Sequence, residues 1–304
     1  MNPLAKLSLY VAAVVLLAAL LSPPVYWALH DMHPLLGGVP FRRFFSRTAL
    51  VAALALLWPT VRWMNVRSAA ELGLVPSQRI GRDFTAGLLL AILPLTVLAV
   101  CYFEFDVYRL RKEIPWGNLL GAVGTAAAVS LLEEILFRGV LLGLCVRSFG
   151  RVAGVLLVSA VFSAVHFIES HAEVATVRWS SGFELLGGAF SNADGAALTA
   201  FGAAALFVIG VILAVATLRT RSLWLPIGLH AGWIFGAQTL NLLGKFRMKP
   251  PGALLPWVGP NVVHGMVPTG FAPLAALLVT GVLVCWYSSR AHGGHSAADF
   301  RDAD

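Results

Sequence analysis

Charge is what this chain has least of. Only 12% of its 304 residues are Asp, Glu, Lys or Arg, about half the share of a soluble domain. That scarcity, beside 58% hydrophobic residues and a mean hydropathy of +0.80, excludes a soluble globular domain of this length. Cysteine is also sparse. Cys101, Cys145 and Cys285 stand far apart with no Cys-x-x-Cys or Cys/His pattern, which excludes a disulfide framework and leaves three apolar thiols. No basic stretch interleaved with aromatics occurs, so no nucleic-acid partner is expected. The formal charge of +7 comes from Arg and Lys set singly or in pairs between apolar runs, where they mark membrane boundaries. Neither an internal repeat nor a soluble second domain is visible.

What the chain does have is a series of apolar runs of spanning length. Spans are predicted at 6–29, 48–66, 84–103, 117–146, 151–170, 196–219, 222–244 and 271–289, making an all-α, polytopic transmembrane bundle of about eight spans. The first run lacks a small-x-small cleavage site before a soluble segment and reads as a retained helix. Pro23–Pro24 should kink it or end it early. The organisation expected is N-terminal helices at 1–66, a core at 67–244, a loop and last span at 245–289, and a disordered tail at 290–304. Within the core, "RSAAELGLVPSQRIGRD" at 67–83 is too polar to cross and reads as interfacial. Basic residues on alternate loops are nearly balanced; both termini are placed in the cytoplasm.

Within the fourth run, "SLLEEILFRG" buries two acids and an arginine among leucines. Such groups are expensive in a bilayer and mark function by default. Glu134 and Arg138 are four apart, share a helix face and can pair. Glu133 points about 100° away from Glu134 and is the carboxylate left for chemistry. In the fifth run, "FSAVH" carries His166. The hairpin turn falls at Phe149–Gly150, and Glu134 and His166 are equally far from it. Both should then lie at one depth, about 24 Å from the turn, as an acid/base or metal-binding pair. Phe162, one turn before His166, shares its face as an apolar wall. His230 follows Pro226 in the seventh run, but by residue count it lies only about 13 Å from Arg221. Reaching the same depth requires a tilted helix or a 219–225 connection that dips inward.

Together these residues resemble the CPBP family of intramembrane proteases, the CAAX-processing and bacteriocin-processing group that includes Rce1-type endopeptidases. "EEILFR" matches its Glu-Glu-x-x-x-Arg motif and "FSAVH" its Phe-x-x-x-His motif. "HAGWI" stands for its His-x-x-x-Asn/Asp motif, and "ELGL" at 71–74 resembles the segment that often precedes the core. The likeness covers roughly residues 67–244. One departure stands out. Ile234 occupies the place of the Asn or Asp thought to hold the oxyanion. Gln238 is about 80° off the His230 face, and Asn241 lies about 16 Å further along.

The resemblance implies peptide-bond hydrolysis in the membrane, with candidate catalytic residues Glu133, Glu134, Arg138, His166 and His230. Glu133 would be the base, His166 would position water, Glu134 and Arg138 would brace the helix, and His230 would hold the oxyanion or complete the water site. Glu133, His166 and His230 would also suffice as three zinc ligands. The alternative is a metal-free, glutamate-dependent protease, the reading slightly preferred. The partners implied are a protein or peptide substrate with an apolar segment and membrane lipids. A multi-pass protein of a prokaryotic inner membrane is expected, since Ala, Leu, Gly and Arg usage suggests a GC-rich genome; prenylated substrates are then not expected. The rivals are a proton- or cation-coupled transporter using the same side chains and a catalytically silent scaffold, which Ile234 favours. Other polar residues carry little weight: His30, Asp31 and His33 read as solvated, Glu169, His171 and Glu173 as a water-facing loop or a substrate entrance, and His292 and His295 as inert tail.

Overall fold

The apolar runs fold as helices. The computed structural model describes residues 3–30, 39–65, 79–166, 176–188, 196–246 and 269–292, with a few single positions between them. In chain order these are α1 (Pro3–His30), α2 (Phe41–Trp63), α3 (Ile80–Glu104), β1 (Tyr108–Leu110), α4 (Asn118–Glu134), α5 (Leu142–Phe149), α6 (Arg151–Val165), α7 (Ser181–Gly188), α8 (Ala196–Thr220), α9 (Trp224–Leu243), β2 (Gly244–Phe246) and α10 (Phe271–His292). A π-helical stretch, Ile135–Leu141, joins α4 to α5. The fold is all-α and polytopic. Each predicted span is found as helix, and α1, α2, α3, α8 and α10 contain stretches long and apolar enough to cross a bilayer.

Several expected boundaries are corrected. α1 runs through Pro23 and Pro24 to His30 rather than ending early. Pro23 has no N–H to offer the Ala19 carbonyl one turn back, and that carbonyl lies against Gly182 of α7, where a Cβ would collide with it. α2 begins at Phe41, before the predicted start. α6 stops at Val165 rather than near 170. The short α7 and the β1–β2 pair were not anticipated.

The chain divides into two compact units. The first comprises 1–67 and 164–194. There α1 packs on α2 and α7, Phe41, Phe44 and Leu185 form a buried cluster, and Lys6 Nζ donates to the Trp63 carbonyl at 2.6 Å.

The second unit comprises 68–163 and 195–304. In it α9 is the hub, packed against α3, α4 and α8, while α10 packs on α3 and α8. Small residues allow this. A Cβ on Gly228 would strike the Phe84 carbonyl, one on Gly87 the Leu225 carbonyl, and one on Gly232 would come within 2.8 Å of Ala91 Cβ. Without a hydrophobic drive between helices in lipid, close backbone approach supplies the dispersion that holds them. The outer face of α3 keeps its leucines and valines, Leu89, Leu93, Val97 and Val100, exposed, as a lipid-facing stripe does. At the far end of α9, β1 and β2 pair antiparallel with Tyr108 opposite Phe246. Tyr108 is buried there with Leu95, Leu98, Tyr102, Val107 and Leu240.

Candidate active site

Glu134 is the last α-helical residue of α4, and the π-helical stretch begins one residue later. Such insertions are rare and recur at functional sites. Across this junction Arg138 Nη1 donates to Glu134 Oε1 at 2.7 Å, with both side chains fully buried. The same oxygen lies 2.8 Å from His230 Nδ1, so the pairing read from the spacing of Glu134 and Arg138 holds and extends to α9. With Nδ1 turned to Glu134, Nε2 is the ring nitrogen left to face the other way. Nε2 faces Glu133, whose Oε2 is 3.9 Å away. The Glu133 side chain is 26% exposed where that of Glu134 is sealed, the difference expected from their 100° separation.

His230 reaches this depth because the connection before α9 dips inward. Arg221 takes a left-handed φ of 51°. The Thr220 hydroxyl is shared between the Ala216 and Ser222 carbonyls, and Leu223 and Leu225 are fully buried. α9 thus begins inside the protein. Pro226 sits in its first turn, where a missing N–H costs nothing.

Apolar rings complete the surroundings. The Arg138 guanidinium lies over the Phe162 ring at 4.4 Å and 5.7 Å from the Phe137 ring centre. Phe162 meets His230 edge to face at 5.9 Å and 71°, and Phe137 at 5.2 Å and 84°. The apolar wall expected of Phe162 is there, set against Arg138 and His230. Arg138 Nη2 lies 3.5 Å from the Gly210 carbonyl of α8. Neither Phe137 nor Gly210 was singled out in the sequence. Phe137 sits inside the "EEILFR" motif; Gly210, in "FVIGVIL", carries no signal.

His166 is corrected in its setting. It lies in a turn just past the last residue of α6 rather than inside the helix, is half-buried, and falls in the first unit. Glu169, His171 and Glu173 lie outside the described residues, as do residues 71–73 of "ELGL", Asp31, His33 and the tail beyond 292. Ile234 is half-buried on α9. Asn241 is engaged elsewhere: its Oδ1 accepts from the Tyr108 hydroxyl at 3.0 Å, and its carbonyl accepts from Arg111. Among the described residues no three of His, Cys, Asp and Glu are grouped to hold a metal ion.

Residues 115–236 match the family model described as type II CAAX prenyl endopeptidase Rce1-like. This segment is Rce1-like. It holds Glu133, Glu134, Arg138, His166 and His230, and the resemblance drawn from the motifs is borne out. The family match and the apolar helices support an intramembrane protease, a CAAX-type endopeptidase acting on a protein or peptide, in a multi-pass membrane protein. No curated protein and no solved structure matches the chain.

Proposed function

We propose that this protein is an intramembrane endopeptidase in which Glu133 activates water for attack on a peptide carbonyl. The observation carrying this reading is the orientation of His230. With Nδ1 held at 2.8 Å from Glu134 Oε1, Nε2 is turned towards Glu133 Oε2 at 3.9 Å. That gap is too long for a direct hydrogen bond and suits a water donating one hydrogen to each. Attack of its oxygen on the carbonyl carbon transfers a proton to Glu133, and the protonated acid then gives it to the departing amine.

Glu134 and Arg138 act one layer back. The arrangement has the logic of a carboxylate that fixes the tautomer of a working histidine. The substrate carries an apolar segment that delivers the scissile bond to membrane depth, near its C-terminus or its membrane-proximal part. Comparison of protein C-termini in membranes carrying the parent protein or Glu133→Ala tests this. Neo-C-termini that depend on Glu133 are expected; identical termini in both membranes would sink the reading.

A further inference from the structure

The Arg138 guanidinium is entirely buried, yet its hydrogen bonding is thin. Nη1 has one strong partner in Glu134, Nη2 has a 3.5 Å approach to a carbonyl, and Nε has no hydrogen-bond partner among the described residues. A buried cation so poorly served needs compensation, and the face of Phe162 at 4.4 Å supplies it. An aromatic face is the negative end of the ring quadrupole, and its attraction for a cation strengthens when water is excluded. Phe162 is itself 1% exposed, so water does not weaken the contact. The ring also meets those of His230 and Phe137 edge to face.

We propose that Phe162 is a positioning residue whose ring holds Arg138 on Glu134 and, through that carboxylate, keeps His230 in the Nδ1–H tautomer with Nε2 turned to Glu133. The significance of this for turnover rests on the hydrolytic reading above. Were the ring electronically neutral, Arg138 would have less reason to stay over it. The Glu134 oxygen shared by Arg138 and His230 would then lose its fixed place. The tautomer of His230 would relax, and the water between Nε2 and Glu133 would be held less well. Substrate binding would not change, so the effect belongs to kcat and not to KM.

Graded fluorination of the ring tests this with little change of shape. Phe162 is replaced in turn by 4-fluoro-, 3,5-difluoro- and 3,4,5-trifluorophenylalanine, each addition weakening the face. Two quantities are followed: kcat and KM on one substrate, and the ¹⁵N spectrum of histidine-labelled protein, with His230 assigned by loss of its signals in His230→Gln. Expected is a stepwise fall of kcat, about tenfold across the series, at constant KM, with growth of the Nε2–H form of His230. A tautomer that stays fixed along the whole series overturns the proposal. Should the parent protein cleave no peptide, the hydrolytic reading fails by itself, and the ¹⁵N series still decides the role of Phe162.

Discussion

Glu134 Oε1 and His230 Nδ1 lie 2.8 Å apart although 96 positions separate them in the chain. Because the same oxygen takes Arg138 Nη1 at 2.7 Å, one carboxylate ties two helices and fixes one imidazole.

Removing the cation from that arrangement should be more damaging than removing the pair. Arg138→Leu leaves a buried carboxylate without its countercharge, a change that costs about 3–5 kcal/mol. Glu134→Met with Arg138→Leu removes both charges and should recover much of that stability, measured by unfolding in detergent. Neither variant should turn over substrate, since His230 has lost its anchor in the first by strain and in the second by absence. Equal destabilisation of the two would show that the buried charges do not depend on each other.

Helix contact by glycine gives a second expectation. Gly228→Ala forces a Cβ into the Phe84 carbonyl and should destabilise the protein by about 1–3 kcal/mol. Turnover should fall with it, because His230 is carried on the same turn of α9. Gly121→Ala on α4 is the control: nothing lies within 4 Å of a Cβ there. It should be neutral or stabilising by about 0.5–1 kcal/mol. Parallel thermal unfolding of the two variants is the check.

Asn241 should prove structural. Its side chain accepts the Tyr108 hydroxyl, so Asn241→Ala should cost about 1 kcal/mol and leave kcat unchanged. A loss of turnover at unaltered stability would instead give Asn241 a place in the chemistry.

Tyr108 offers a check on the packing around β1. Burial pushes its phenol from 10.0 up to about 12. The folded chain therefore holds this proton after the unfolded chain has released it. The associated stability is complete below pH 10 and is lost as pH rises through about 12. Absorbance titration of the parent protein against Tyr108→Phe should show one phenol ionising late. A difference curve centred near 10 would mean that water reaches the ring.

Much of this was readable from residues alone because apolar length and period dictate helices in lipid. The Glu134–Arg138 pair followed from a spacing of four, and the greater exposure of Glu133 from the 100° step. Other features escaped or stayed open. Strands as short as β1 and β2 show no alternation. The π-helical stretch after Glu134 uses residues that would equally continue an α-helix. The residue count leaves a tilted helix or an inward dip before His230, and the burial of Leu223 and Leu225 decides for the dip. Phe162 against Arg138 is of the same kind: periodicity gave its face but not the cation lying on it.

The most direct measurement is the kcat of Glu133→Gln on a reconstituted substrate identified from Glu133-dependent C-termini, with unfolding followed in the same preparation. The amide keeps the shape of the side chain and cannot take the proton of water. Turnover should fall by about 10²–10⁴ while the unfolding midpoint stays near that of the parent. Cleavage by Glu133→Gln at the parental rate, in a folded protein, would contradict it.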